Sequence, residues 1–455
     1  MNDFTDKYQF SEEEWKACMK VLSTLKDNPF NNPDNQQLST LISGLYKKAK
    51  KIRRNNSYSY KRAENLQVIN QSAIAQQALN NTAIYSAAET RVAQGYSELP
   101  LPRNCYSCNT SYQLSHSFYG RLCPDCAEIN FSNRFKTTDL SGRNVILTGG
   151  RVKIGYATAL KLLRSNANLT VTTRFPGLAM EQFMKEADYQ VWKGNLTVYG
   201  LDLRSLKAIR EFIDYYHSVN DSLDILINNA AQTIKYTEEY YLPMIEREQK
   251  FLTTFSSNRL LGNLHSPTKA VDIHELSNNH ELDLNRFGQP VDTREKNSWN
   301  STLEEIDMAE LLEVNLINQI APYYLIKELA GLMRVSRFAK QFIINVTSSE
   351  GQFSYENKTI FHPHTNMTKA SLNMLTRTSA EEYQKYGIYM NAVDVGWVST
   401  GAREALRQKQ FNEGYIPPLD PVDGASRIMV PIINGIENED ETAGKLWKNY
   451  KIVDW

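Results

Sequence analysis

Val145-Ile-Leu-Thr-Gly-Gly-Arg-Val-Lys-Ile-Gly155 decides the reading of this chain. An apolar strand runs directly into a glycine-bearing turn, and Tyr156 to Leu163 continues as a helix with an apolar stripe. Such a turn presents backbone N–H groups at a helix start, where a diphosphate can settle. The segments that follow supply the context a lone turn lacks. Asn168-Leu-Thr-Val-Thr-Thr173 reads as a second strand ending at Arg174. Gly200-Leu-Asp-Leu203 and Leu223-Asp-Ile-Leu-Ile-Asn-Asn-Ala-Ala231 follow in turn. This is the order of an α/β, doubly wound parallel sheet.

These residues resemble the short-chain dehydrogenase/reductase superfamily, a Rossmann fold. Its opening motif, Thr-Gly-x-x-x-Gly-x-Gly, is matched by Thr148, Gly149 and Gly155, with Lys153 in place of the middle glycine. The resemblance spans residues 139–455. It implies coenzyme contacts from Thr148, Gly149, Ile154 and Gly155, and from Asp202 and Leu203 near the adenine. It implies further contacts from Asn229 and Ala230 in Asn228-Asn-Ala-Ala231, and from Thr400 in Val395-Gly-Trp-Val-Ser-Thr400. Asn315 in Glu-Val-Asn-Leu, Ser349 in Asn345-Val-Thr-Ser-Ser, and Lys369 match the active asparagine, serine and lysine. By the same resemblance Ser349 would hydrogen-bond a substrate oxygen and Lys369 would hold the nicotinamide ribose. Asn315 would support a water leading toward Lys369.

One position departs from the pattern. Four residues before Lys369, where the family keeps its catalytic tyrosine, stands Thr365. A phenol has a pKa near 10 that a lysine ammonium can pull toward neutrality. An aliphatic hydroxyl is far too weak an acid for that treatment. His364, His362 and Tyr355 are the candidates to take over proton transfer, histidine having a suitable intrinsic pKa. A relay through water, Thr365 and Lys369 is the alternative.

Arg174 stands just after the second strand, where an acid would hydrogen-bond the 2′-hydroxyl of NAD. A guanidinium there suits a 2′-phosphate instead. Arg151 and Lys153 add positive charge, so NADP(H) is the expected coenzyme.

The 455 residues leave room for two or three domains. Lys+Arg and Asp+Glu both total 51, so global charge argues for neither nucleic acid nor a membrane surface. Hydrophobic content of 41% fits a globular core, and no apolar run approaches membrane-spanning length. The acidic, polar N-terminus is unlike a secretory signal, and a cytoplasmic location is expected. Cys105, Cys108, Cys123 and Cys126 form two Cys-x-x-Cys knuckles, the spacing of a structural Zn2+ site. Paired disulfides are disfavoured in a reducing compartment. His116, between the knuckles, is read as a core or surface residue, because four sulfurs close a site.

Three regions follow: a helical region over 1–100, a four-cysteine zinc-binding module over 101–135, and the Rossmann domain over 139–455. In the first, Ser11 caps one helix, and a second runs from Gln37 to Arg54 with Leu38, Leu41, Ile42 and Leu45 on one face. Its basic tail, Lys47 to Arg54, reads as a solvated helix end rather than a nucleic-acid contact. The four-cysteine module is read as a connector that pins the helical region against the catalytic domain. Residues 232–300 form an insertion placed at a strand end to face the substrate, or to bridge subunits. An NADP(H)-dependent oxidoreductase acting on a small molecule is the leading functional reading. A catalytically inactive NADP(H)-binding regulator or scaffold is the second, and a nucleic-acid-associated protein the third. A homo-oligomer, and a protein partner bound through the N-terminal region, are both compatible with the sequence.

Overall fold

The computed structural model describes residues 7–86, 95–262, 284–354 and 358–455. The chain divides into two compact units, Met1–Asn65 and Leu66–Trp455. The first unit is helical. Helix α1 (Glu12–Asp27) starts as expected at Ser11, whose hydroxyl accepts from Glu14 N–H while the Glu14 carboxylate accepts from Ser11 N–H. Helix α2 (Asn35–Asn70) is longer than the predicted span, since no proline or glycine pair interrupts it after Arg54. The boundary between compact units therefore falls well before residue 100. Within the span expected to be helical, α3 (Ala73–Leu79) is short and strand β1 (Tyr96–Asn104) already begins.

Strands β1 and β2 (Ser111–His116) form an antiparallel pair, and helix α4 (Pro124–Phe135) follows. Then comes the main sheet: β3 (Asn144–Thr148), β4 (Asn168–Thr173), β5 (Leu196–Gly200), β6 (Ile225–Asn228), β7 (Leu260–Gly262), β8 (Gln341–Thr347), β9 (Ile388–Asp394), β10 (Leu446–Lys448) and β11 (Lys451–Val453). Its order is β11-β10-β9-β8-β6-β3-β4-β5-β7, parallel throughout except for the β10–β11 hairpin. Strands β8 and β9 are buried along their whole length, as central strands of a parallel sheet covered on both faces are. The core lies on both faces.

The helices that matter for the site are α5 (Lys153–Arg164), α6 (Pro176–Met184), α7 (Leu206–Val219), α8 (Glu238–Thr254), α9 (Met308–Asn315), α10 (Ala321–Arg334), α11 (Pro363–Gln384), α12 (Glu404–Asn412) and α13 (Pro421–Glu437). A π turn over Leu316–Ile320 joins α9 to α10. The expected strand at Gly200–Leu203 is displaced: β5 ends at Gly200, which leaves Asp202 and Leu203 in the loop beyond it. The insertion contributes α8 and the edge strand β7, which extends the sheet beside β5.

Candidate functional site

The strand order reverses between β3 and β6, and a cavity of about 500 Å³ opens there at the C-terminal strand ends. This is where open α/β sheets bind ligands. The first turn is built with little slack. Gly149 adopts φ +70°, which glycine tolerates. Lys153, at the position of the family's middle glycine, also lies in the left-handed region at φ +52°. That backbone costs a side-chain-bearing residue about 1–2 kcal/mol, so the lysine is held there at the expense of the fold.

Charge accumulates along the cavity wall. Arg151, Lys153 and Arg174 line it, and so does Arg286, which comes from the insertion. Burial, then the charges of Arg286 and Arg151, pull the Lys153 ammonium down to about 8. Burial, then Arg174, brings Arg151 down to about 10. Burial likewise lowers Arg286 to about 10, and its Nη2 donates to the Val398 carbonyl at 3.2 Å. The Arg174 guanidinium lies 4.9 Å from the Tyr241 ring and donates to its hydroxyl. Asp202 and Leu203 line the same end, with Asp202 paired to Arg204 through two oxygens. Gly149, Ile154, Gly155, Asn229, Ala230, Lys369 and Thr400 all border the cavity.

Six expected site residues stand off the cavity wall. Thr148 is buried, and its hydroxyl accepts from the N–H groups of Asn229 and Ala230, so it braces the turn from behind. Ser349 donates to Asp394 at 3.1 Å and accepts from Lys448, while its neighbour Ser348 borders the cavity. Two consecutive serines end the motif, and the choice between them is made where β8 gives way to the 3₁₀ turn at Ser349–Gly351. Asn315 turns its amide back onto the Leu311 carbonyl. Asn318, in the π turn, does the bridging: it exchanges hydrogen bonds with the Gln232 backbone and donates to Thr368. π turns often mark functional sites, but nothing in the residue pattern announces one here.

Thr365 lies in the first turn of α11, and its hydroxyl is buried without a partner among the described residues. His364 faces the Thr233 carbonyl at 3.0 Å and Glu310, and burial lowers its pKa below the usual histidine range. His362 stacks on Trp299, with ring centroids 4.8 Å apart. Neither histidine borders the cavity, whereas Trp299 does. Tyr355 lies outside the described residues. Lys369 donates to the Val346 carbonyl at 2.8 Å, and burial brings its ammonium down to about 8.

The insertion faces the cavity. Tyr236, Tyr240 and Tyr241 flank the Arg174 end, while Ile234 and Trp299 reach the Gly401 end. Asn297 secures the latter by donating to the Gly401 carbonyl. Arg286 is not singled out by the sequence, because the polar stretch that carries it lacks periodicity.

The four module cysteines bring their sulfurs within 4.8 Å of one another, with Cys108 and Cys123 at 3.6 Å. A tetrahedral ion with Zn–S of about 2.3 Å would set sulfurs about 3.8 Å apart, so the cluster fits such a group. His116 uses Nδ1 to accept from Phe118 and Tyr119 N–H and stands apart from the sulfurs. The module packs on the Rossmann domain through α4 and α13: buried Arg134 pairs with both Asp420 and Asp423. Among the described residues no helix is long and apolar enough to cross a membrane.

A short chain dehydrogenase profile matches residues 143–258, and an Enoyl-(Acyl carrier protein) reductase profile matches 295–417. Uncharacterized protein R665 of Acanthamoeba polyphaga mimivirus is 32% identical over 370 residues, covering 77% of this chain and 74% of that one. Human retinol dehydrogenase 13 is 36% identical over 112 residues, or 25% of this chain and 30% of its own length. The Pseudomonas aeruginosa RhlG/NADP active-site complex aligns with a TM-score of 0.46 and 18% identity, covering 68% of this chain and 95% of that one. With the glycine turn, the sheet order and the matched segments in register, the chain belongs to the short-chain dehydrogenase/reductase superfamily.

Proposed function

We propose that this protein is an NADP(H)-dependent oxidoreductase acting on a small-molecule carbonyl or alcohol. The observation that carries the reading is the row of cations, Arg174, Arg151, Lys153 and Arg286, along a cavity at the switch point of the sheet. The bound coenzyme supplies or accepts a hydride. Arg174 and Arg151 take the 2′-phosphate, because guanidinium groups pair with phosphate oxygens. Lys153, Arg286 and the amides at the start of α5 take the diphosphate. Asp202 and Leu203 border the adenine. Ser348 orients a substrate oxygen at the opposite end, beside Lys369. With its ammonium brought to about 8, Lys369 can release a proton near neutral pH, a step closed to the Thr365 alcohol. The four thiolates of the module hold one structural Zn2+.

Binding titrations test the coenzyme assignment. Arg174→Ala should weaken NADPH binding by about 10- to 100-fold, the worth of a charge-assisted contact, and leave NADH within about twofold. Wild-type protein that binds NADPH and NADH equally would sink the reading. A second reading, a non-catalytic NADP(H)-binding regulator, is favoured by one observation: neither Thr365 nor His364 borders the cavity. Deuteride transfer from labelled NADPH into members of a carbonyl panel separates the two, its absence favouring the regulator.

The affinity should also depend on pH. Lys153 carries its charge below about 8 and loses it above. A phosphate bound there favours the charged form, so binding takes up a proton once the free lysine is neutral. NADPH affinity should therefore fall up to about tenfold between about pH 7 and pH 9, and Lys153→Arg should flatten the profile. A flat wild-type profile would remove Lys153 from the phosphates.

A further inference from the structure

The two residues between the first pair of module cysteines both reach out of the module. The Tyr106 hydroxyl accepts from the Trp397 backbone N–H at 2.8 Å, and the Ser107 carbonyl accepts from Asn449 at 3.2 Å. Beside the second knuckle, Arg121 donates to the Ile416 carbonyl at 2.7 Å and lays its guanidinium 5.1 Å from the Trp397 ring. Val398, only 2% exposed, is buried in the module's own apolar cluster together with Cys105, Leu122 and Cys123. All these contacts but that of Ser107 grip residues 395–400 or the nearby Ile416. The 395–400 segment gives Val395, Ser399 and Thr400 to the cavity, at the end of β9 and beside β8 with Ser348.

We propose that the metal knuckle is a brace for the reactive end of the coenzyme cavity: Tyr106, fixed between Cys105 and Cys108, positions the 395–400 wall through Trp397. The inference rests on the coenzyme and zinc reading above. The physical basis is local. Cys105 and Cys123 sit in that apolar cluster, and the ion that the four cysteines share ties the two knuckles together, so the backbone between Cys105 and Cys108 depends on the ion as well as on the cluster. Whatever Tyr106 holds then depends on the same ion. The module's apolar cluster also packs against Ile154 of the glycine turn, but around Arg174 and Tyr241 there is no such contact with the module among the described residues, so the Tyr106 hydrogen bond acts on one half of the cavity.

That asymmetry gives the test, which compares NADPH with 2′,5′-ADP, a probe that lacks the nicotinamide half, on the full-length, metal-loaded chain. Tyr106→Phe should keep about one zinc per chain by metal analysis. It should bind NADPH about fivefold more weakly, the worth of one hydrogen bond, with 2′,5′-ADP affinity unchanged. Arg121→Gln should show the same selective loss. Chelation should enlarge the loss, and added Zn2+ should restore binding. Variants that match wild type for NADPH, or that lose both ligands in parallel, overturn the brace while leaving the coenzyme reading standing. Wild-type protein that binds neither nucleotide overturns the coenzyme reading itself. Metal-free protein that binds NADPH at full strength overturns the role of the ion.

Discussion

Gly155→Ala is expected to abolish measurable coenzyme binding while leaving a folded chain. A Cβ built at this position would stand 2.0 Å from the Gly149 carbonyl oxygen and 2.6 Å from the Asn229 amide nitrogen. Neither neighbour is free to retreat. Asn229 is tied to the carbonyls of Thr148 and Gly149 at 3.0 Å each, and Gly149 lies against the Ala230 Cα on its other side. The turn must therefore swing outward, carrying with it the amides that face a diphosphate. Overpacking of this kind costs about 1–3 kcal/mol in stability. The loss in binding should be larger, beyond about 100-fold, because the donors no longer converge on one point. Titration with NADPH alongside a thermal melt measures both, and near-normal affinity would show that the phosphates do not use this turn.

The second large effect is on stability. Arg134 is fully buried and makes a paired contact with Asp420, at 2.7 and 2.9 Å, and a further one with Asp423 at 2.9 Å. Its guanidinium also lies 4.5 Å from the Phe118 ring. Asp420 caps α13, and Asp423 accepts from the Tyr119 hydroxyl. Arg134→Met keeps much of the volume but leaves two interior carboxylates without their main counter-charge. Losing one partner of a buried ion pair costs about 3–5 kcal/mol, so chemical denaturation should show a deficit of that size. The deficit should narrow in acid, since burial already pushes the Asp423 carboxyl up and its protonation removes an uncompensated charge. A change under about 1 kcal/mol would mean that Arg427, also buried nearby, carries the compensation.

The fold was legible because its signals are local. The apolar stretches of β3, β4, β6 and β8, the glycine turn and the cysteine spacing each follow from residue type at fixed intervals. The cationic wall of the cavity follows in the same way: Arg151, Lys153 and Arg174 sit on or beside the first two strands, where chain order fixes position. What escaped depends on geometry that sequence order does not encode. Ser348 and Ser349 differ only in where a strand stops. Asn315 and Asn318 are one turn apart, and a π turn decides which of them bridges. His364 is adjacent to Thr365, yet helix α11 points it at Thr233. Arg286 reaches the cavity from a segment with no periodic pattern to place it.

The sheet edge beside β5 carries a consequence for anyone redesigning this chain. Strand β7 covers the longer edge of β5 with a short edge strand, pairing Leu260–Gly262 with Val198–Gly200. The same excursion returns as the stretch that presents Arg286 to the ligand space. Trimming it to obtain a minimal scaffold would bare a row of unsatisfied amides and carbonyls, an invitation for molecules to stack edge to edge. Solubility and ligand affinity are thereby tied to one excursion, and neither can be engineered without disturbing the other.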